Sequence, residues 1–314
     1  MNIFDVAARL RGMDRILILT HVRPDGDTIG CACALCQALR DMDKDAYLLY
    51  NPEITATYAP YAADYWAPEG WEPQHVVSTD VAVLDLLPDN AAPYRDRIAL
   101  AIDHHPSHSY FAAESYVDAS AAACGEILYA VIRELTDITP AIALRLYVAI
   151  ATDCGCFVYS NTTANTHRIA AELMTHDFGV AEINKTLFRT KSKVRLKMEA
   201  HMAAHMELYD NDLVVVMTIP LSLREEMCAT EADIEELSSL AALVEGTDCA
   251  VTLRELRPGT IKVSLRTGPR VNATEVCARL GGGGHRAAAG ATVNGTMDEV
   301  KAAVLRAVEE VVSQ

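Results

Sequence analysis

The chain has little positive charge for a protein of its size. Its 314 residues include 27 lysines and arginines against 43 aspartates and glutamates, which gives a formal net charge of −16 at pH 7. A protein that binds long nucleic acids without sequence preference needs a basic surface that displaces counterions from the phosphates. We therefore exclude extended binding to long duplexes. Small anionic substrates stay open, provided that bound metal ions reverse the sign locally.

The sequence also lacks a long apolar run, and its first residues lack the pattern of a signal peptide. No window is long enough for a transmembrane helix without charges or turn residues, and the first five residues lack the basic segment of a signal peptide. Nine cysteines are scattered through apolar stretches instead of forming a disulfide framework. We expect a cytoplasmic protein with reduced thiols and no membrane partner. Cys31, Cys33 and Cys36 lack a fourth ligand at zinc-finger spacing, so we interpret them as core residues.

Short apolar runs alternate with helical patterns over the first two hundred residues, which predicts an α/β domain with a mostly parallel sheet covered on both faces. The predicted strands are Arg15–Thr20, Asp45–Tyr50, Val81–Leu86 and Ile98–Asp103, and the predicted helices are Thr28–Met42, Ser120–Leu135, Ala141–Thr152, Thr163–His176 and Val180–Phe188. The chain is longer than one core usually fills, which suggests a second domain.

The pattern restarts after a long helix and predicts a smaller domain with a mixed sheet. We place the first domain at 1–190, a connecting helix at 191–209 and the second domain at 210–314. The expected strands of the second domain are 213–219, 250–256, 261–265 and 288–293, and the expected helices are 232–244, 274–279 and one that begins at Met297. We expect the active site in a cleft between the two domains.

Acids and histidines lie at the ends of several predicted elements of the first domain. They are His21, Asp25, Asp27, Asp85, the triplet Asp103-His104-His105 and Asp153. Each segment alone has a simpler interpretation, because an acid at a strand end is often a helix cap and an Asp-Gly pair is usually a turn. Ligands of open parallel sheets, however, bind beyond the carboxyl ends of the strands. Asp and His suit Mn²⁺ or Mg²⁺, and the number of groups favours two ions over one.

These motifs together resemble the DHH phosphoesterase superfamily. The resemblance rests on His-x-x-Pro-Asp-x-Asp at 21–27, Asp85, the Asp103-His104-His105 triplet and Thr-Asp-x-Gly at 152–155. Residues 281–285 (GGGGH), followed by Ala-Ala-Ala-Gly at 287–290, are similar to the signature of the DHHA1 domain. The stretch FVYSNTT at 157–163 is similar to the stand-alone oligoribonuclease/pAp phosphatase branch.

The resemblance implies a role for each residue of the site. His21 and Asp25 would hold one metal, Asp27, His104 and Asp153 the other, and Asp85 would bridge the two. His105 would lie near the transferred phosphoryl group, and Asp103 would orient the histidine pair. The implied ions are Mn²⁺, with Mg²⁺ or Co²⁺ as alternatives. Cys31, Cys154 and Cys156 stand where small hydroxyl or polar side chains are expected, and their role is left open.

A glycine run and a local excess of basic residues indicate a phosphate site in the second domain. Between Ala250 and Gly290 seven lysines and arginines face two glutamates. We predict that the amides of Gly282, Gly283 and Gly284 form an anion-binding nest with His285, and that Arg266 clamps a phosphate. The alternative is a flexible turn beside a solvated basic face. Arg189, in a second basic run, is a further candidate for a substrate contact.

The expected function is two-metal hydrolysis of short oligoribonucleotides to mononucleotides and of pAp to AMP. The alternative is a phosphodiesterase of c-di-AMP or of linear dinucleotides such as pApA and pGpG. A family II pyrophosphatase and an inactive nucleotide-binding regulator are further alternatives. We expect short RNA, pAp or dinucleotides as substrates and no long duplex, and the sequence leaves a homodimer open.

Overall fold

The computed structural model describes residues 1–313, apart from the side chains of Glu235 and Glu236, and the chain divides into two units, Met1–Thr190 and Lys191–Gln314. The first unit is built on a five-stranded parallel sheet with the strand order β2-β1-β3-β4-β5. Its strands are β1 (Ile16–Leu19), β2 (Ala46–Leu48), β3 (His75–Thr79), β4 (Ile98–Asp103) and β5 (Glu114–Val117). The predicted parallel sheet is confirmed. The order reverses between β1 and β3, which is the place where open sheets form a ligand-binding crevice.

Alternating side chains of β1 supply both faces of this sheet. Ile16 and Ile18 pack in the larger core with the helices, whereas Leu17 and Leu19 pack in a smaller core on the opposite face. The helices of the first unit are α1 (Ile3–Arg11), α2 (Gly26–Arg40), α3 (Ala59–Ala62), α4 (Cys124–Leu135), α5 (Pro140–Asp153), α6 (Ala164–Leu173) and α7 (Val180–Asn184). Three further turns are helical but not α: the 3₁₀ segments Leu84–Leu86 and Asp89–Arg97, and the π-helical segment Lys185–Arg189.

Helices α2 and α5 approach each other closely at Gly30. A Cβ atom added at Gly30 would lie 2.4 Å from the Arg145 carbonyl oxygen and 2.8 Å from the Ala149 Cβ. Only glycine allows this spacing, and the spacing brings the first turn of α2 near the last turn of α5. The close packing of these two helices therefore helps to place Asp27 near Asp153.

The prediction of a strand at Val81–Leu86 is wrong. The third strand is His75–Thr79, and the apolar segment after it leads into the short 3₁₀ turn Leu84–Leu86, with Val81 and Leu84 packed in the smaller core. A short apolar run does not distinguish a buried strand from a buried turn, which explains the error. Helix α1 and strand β5 were not predicted from the sequence.

The second unit is built on a six-stranded mixed sheet with the order β10-β11-β9-β8-β7-β6. Its strands are β6 (Glu207–Tyr209), β7 (Val214–Ile219), β8 (Cys249–Arg257), β9 (Thr260–Thr267), β10 (Gly283–His285) and β11 (Ala288–Asn294). Only β7 and β8 pair in parallel within the described part of this sheet, and the other pairs are antiparallel. The predicted mixed sheet is confirmed.

Helices cover both faces of the second sheet. They are α8 (Lys193–Ala204), α9 (Leu221–Glu226), α10 (Glu231–Ile234), α11 (Ala273–Arg279) and α12 (Met297–Val312), with a 3₁₀ segment at Glu235–Leu243. The helix predicted at 191–209 is shorter than expected, since 207–209 forms β6, and its Met198 and Met202 pack against the second sheet. No helix in the described range 1–313 has the length and apolarity that a membrane crossing requires.

Candidate metal centre

The acidic and histidine side chains of the first unit gather around β1, β3 and β4. Three groups of three side chains each place their ligand atoms within 4.8 Å of one another. The groups are His21 with Asp25 and Asp80, Asp27 with His104 and Asp153, and Asp80 with His104 and His105. The crevice at the strand-order reversal therefore carries seven side chains of the types that hold divalent cations.

Asp80 is shared by two of these groups. It follows β3 directly, has a left-handed φ of 58° and is only 2% exposed. The His104 Nε2 and His105 Nδ1 atoms lie 3.5 and 3.6 Å from its Oδ1, and the His21 Nε2 atom lies 3.7 Å from its Oδ2. Burial, and then the nearby Asp27 charge, raise the pKa of Asp80 well above its usual range.

The structure corrects the prediction that Asp85 bridges the site. Asp85 is exposed on the 3₁₀ turn Leu84–Leu86 and belongs to none of the three groups of described residues. Asp80 lies where Asp85 was expected, because the third strand ends at Thr79 and not at Leu86 as predicted. The sequence does contain the signal for Asp80: the β-branched residues Val76, Val77 and Thr79 lead directly into it.

Asp25 and Asp27 lie at the start of α2, so two acidic side chains come from one turn of the chain. Asp25 is the N-cap, and its Oδ1 accepts from the Asp27 and Thr28 amides at 3.0 and 3.1 Å. Its Oδ1 also lies 3.6 Å from the His21 Nε2 atom. Burial raises the pKa of Asp25, but the interaction with the nearby His21 imidazole and the bonds from the Thr28 and Asp27 amides outweigh burial, so the net pKa is below the usual range.

Asp27 lies deeper and is 1% exposed. Its Oδ2 lies 3.8 Å from the His104 Nε2 atom, which also lies 3.7 Å from the Asp153 Oδ2 atom at the end of α5. Burial, followed by the charges of Asp153 and Asp25, raises the pKa of Asp27 well above its usual range. Without a bound cation, burial and the repulsion between these carboxylates disfavour the ionised form of Asp27.

Asp103 orients the two histidines that follow it. Its buried Oδ1 accepts from the His104 amide and from the His105 Nδ1 atom, both at 2.8 Å. The His104 Nδ1 atom donates to the Ala121 carbonyl at 3.2 Å, so its Nε2 faces the acids. The hydrogen bond to Asp103 raises the pKa of His105 despite partial burial, and the same bond outweighs burial to hold the pKa of Asp103 low.

The spacing of the groups fits a divalent cation. Two ligand atoms at about 2.1 Å from one ion lie about 3.0 Å apart at right angles and about 4.2 Å apart when opposite. The separations of 3.5–3.7 Å among His21, Asp25, Asp80, His104 and Asp153 fall in this range. They are also too long for direct hydrogen bonds, and the buried Asp80 Oδ1 atom has no hydrogen-bond partner. The residues present therefore fit a metal.

The predicted phosphate residues of the second unit lie on neighbouring strands. His285 of β10 pairs with Ala288 of β11, which in turn pairs with Arg266 of β9. Directly paired residues of antiparallel strands share a face of the sheet, so Arg266 and His285 lie on either side of a small alanine. Two strand spacings separate their backbones by about 10 Å. His285 is exposed and Arg266 is half-buried.

The end of the glycine run belongs to an edge strand and not to the predicted anion-binding nest. Gly283 and Gly284 belong to β10 and pair with Gly290 and Ala289 of β11. Gly282 must be glycine because an added Cβ would lie 2.2 Å from the Gly290 carbonyl oxygen. Arg189 lies in the first unit, exposed at the end of the π-helical segment Lys185–Arg189.

Comparison with known proteins identifies the class that this fold and this site define. The family model of the DHH family, N-terminal domain, matches residues 15–150, and that of the DHHA1 domain matches residues 221–314. The chain belongs to the DHH family and has a DHHA1 domain, which confirms the resemblance seen in its motifs.

Particular relatives cover nearly the whole chain. The chain is 33% identical to the "Bifunctional oligoribonuclease and PAP phosphatase NrnA" of Thermus thermophilus, over 94% of this chain and 89% of that protein. It is 28% identical to the protein of the same name from Bacillus subtilis, over 89% of this chain and 90% of that one. An exopolyphosphatase-related protein from Bacteroides fragilis has the same fold, with a TM-score of 0.86 at 22% identity over 99% of this chain and 96% of that one.

Proposed function

We propose that this chain is a divalent-metal-dependent phosphoesterase that hydrolyses short oligoribonucleotides to mononucleotides and pAp to AMP. The names of the relatives from Thermus thermophilus and Bacillus subtilis support both activities, since both relatives align over about nine-tenths of their lengths. The observation that carries the proposal is the set of three neighbouring ligand groups, two of which share the buried Asp80. The cytoplasmic location expected from the cysteine content stays a prediction.

The ligands of the three groups divide into two cation sites. His21 and Asp25 would hold one ion, and Asp27, His104 and Asp153 the other, with Asp80 between them. Mn²⁺ is the proposed ion, because mixed imidazole and carboxylate ligands suit it better than they suit Ca²⁺. When bound, such ions polarise phosphoryl oxygens and make water more acidic.

His105 supplies a proton donor beside these sites. Its Nδ1 atom donates to Asp103, which leaves the Nε2 atom as the second donor of the protonated ring, and its side chain is 41% exposed. The raised pKa of His105 keeps the ring protonated at a higher pH than an isolated histidine. A cationic N–H group stabilises the negative charge that develops on phosphoryl oxygens during transfer.

We assign a second part of substrate binding to the edge of the second sheet. Arg266 and His285 present a guanidinium and an imidazole on either side of Ala288, and Gly282, Gly283 and Gly284 leave the strand before His285 without side chains. A guanidinium binds a phosphate through two parallel hydrogen bonds, so these residues suit a second phosphate of a short nucleotide. We add Arg189 of the first unit as a further substrate contact.

A substrate panel tests the proposal. The purified chain with Mn²⁺ is offered pAp, short RNA, pApA, pGpG, c-di-AMP and pyrophosphate, and kcat/KM is compared. We expect short RNA and pAp to be preferred. Predominant turnover of pyrophosphate would overturn the proposal, and a marked preference for c-di-AMP would replace it with the dinucleotide alternative.

A variant pair tests the role of the second sheet. Arg266→Ala should lower kcat/KM for pAp by about 10-fold or more, the cost of a lost charged hydrogen bond. It should spare a simple activated phosphodiester that carries no second phosphate. Lys262→Ala, which removes an exposed positive charge from the same strand, is the control and should change neither rate. Equal losses on both substrates would mean that the assignment is wrong.

A further inference from the structure

Asp27 is held from three sides inside the first unit. Its Oδ1 atom accepts from the Gly125 amide at 3.0 Å and from the Cys31 thiol at 3.1 Å, and its Oδ2 atom accepts from the Cys124 amide at 2.7 Å. All of these atoms are buried. The carboxylate therefore exchanges its hydration shell for a fixed set of three donors.

Two of these donors are the first amides of α4. The N-cap of that helix is Ala123, which offers no side-chain hydrogen bond, so the carboxylate of Asp27 caps the helix from 97 residues earlier in the chain. A negative charge at this end of a helix is also favoured by the helix dipole. Both effects stabilise the ionised form of a carboxylate that burial and neighbouring acids otherwise oppose.

The third donor makes the two oxygens of Asp27 unequal. Cys31 lies one turn after Asp27 on α2, and its thiol adds a second hydrogen bond to Oδ1. Oδ1 thus has two donors, whereas Oδ2 has one and keeps a free lone pair. Oδ2 is the oxygen that lies 3.8 Å from the His104 Nε2 atom.

We propose that Cys31 is a positioning residue for the metal centre. Its thiol donates a hydrogen bond to Oδ1 of Asp27, so that Oδ2 is the oxygen that remains available to a cation shared with His104 and Asp153. This inference rests on the proposed function, because it assigns Asp27 to a cation site. It also gives a role to the cysteine that stands where the family resemblance led us to expect a hydroxyl. A thiol and a hydroxyl both donate one hydrogen bond, which is the property that the position requires.

We expect Cys31→Ala to weaken cation binding at one site only. Cys31→Ala removes the donor and frees Oδ1, so the site formed by Asp27, His104 and Asp153 should lose about 3- to 10-fold in Mn²⁺ affinity, below the usual cost of a supporting group because a thiol is a weak donor. The site formed by His21, Asp25 and Asp80 should keep its affinity. Cys31→Ser retains a donor and should restore binding.

Calorimetric titration of the full chain with Mn²⁺ measures these affinities without relying on turnover. The matched control is Cys36→Ala, which removes another buried thiol of α2, one that donates to the Ala46 carbonyl at 3.1 Å and not to Asp27. If Cys31→Ala is recovered unfolded, Cys31→Val fills a similar volume without a donor and takes its place. Unfolding temperatures without metal report any general loss of stability.

The outcomes separate the two proposals. Weakening of one binding event in Cys31→Ala, with Cys31→Ser and Cys36→Ala near the wild type, supports the positioning role. Equal weakening in Cys31→Ala and Cys36→Ala, or weakening of both binding events together, would overturn it. A wild-type chain that binds no Mn²⁺ and cleaves none of the panel substrates would instead contradict the proposed function.

Discussion

Replacing Asp80 with asparagine should make the metal-free protein more stable and the metal-loaded protein inactive. Asp80 is 2% exposed, and its Oδ1 atom has no hydrogen-bond partner. Its ionised form is therefore costly until a cation arrives. An asparagine has nearly the same shape but no charge, so the substitution removes the cost together with the ability to hold the ion.

The size of the gain follows from the neighbouring charges. Oxygens of Asp80 and Asp25 lie within 4.8 Å of each other. Two full charges at that separation repel by about 3.5 kcal/mol at an effective dielectric constant of about 20. About half of the Asp25 side chain is exposed and His21 lies between the two acids, so water and the imidazole reduce this value. We expect a net gain of about 1–2 kcal/mol, or about 2–8 °C in Tm for a unit of this length.

Thermal unfolding after treatment with a chelator measures the gain, and addition of Mn²⁺ measures the loss of binding. Since the pKa of Asp80 is raised, the gain should be largest at neutral and alkaline pH and should shrink as acidification protonates the wild-type carboxyl. Asp85→Asn, on the exposed 3₁₀ turn, is the control and should change neither quantity. A metal-free Asp80→Asn protein less stable than the wild type, or one that Mn²⁺ stabilises as strongly, would refute the reasoning.

Two further predictions concern the second sheet and the histidine pair. Gly282→Ala should lower the free energy of unfolding by about 1–3 kcal/mol, because the new Cβ meets the backbone of β11. Gly283→Ala faces open space and should be close to neutral in the same denaturant titration; equal effects would contradict the strand geometry. The raised pKa of His105 contributes stability that is fully present below about pH 6.5, the unfolded value, and is lost as pH rises through the folded value. The difference in metal-free Tm between the wild type and His105→Gln should therefore shrink as pH rises above about 6.5. A difference that grows with pH would show that the hydrogen bond to Asp103 does not stabilise the protonated His105 ring.

Most of the fold was predictable because its signals are local. The run at Ile98–Asp103 was predicted with its observed bounds, and Arg15–Thr20 was predicted to within one residue at each end. These strands are buried on both faces and read as unbroken apolar runs between turns. The strand β5 was missed because ESYV is half-buried and carries no such run. The edge strand β10 was missed because it consists of glycines and a histidine, whose pairing depends on β11.

The candidate site was predictable where residues follow a correctly predicted strand. His21 and the triplet Asp103-His104-His105 follow β1 and β4, and the structure brings all except the orienting Asp103 into the three ligand groups. Asp85 was misplaced because the strand before it was misplaced. The bond from the Cys124 amide to Asp27 joins residues 97 positions apart, and no local pattern indicates it.

The most direct test of the central claim is phosphate release from pAp by the purified chain in Mn²⁺. We predict that the wild type and Asp85→Asn release phosphate at similar rates and that a chelator abolishes release. Asp80→Asn should lower kcat/KM by at least about 100-fold, because losing a group that only supports a metal ligand already costs up to about that much. Release that persists in Asp80→Asn, or that falls in Asp85→Asn instead, would contradict the account.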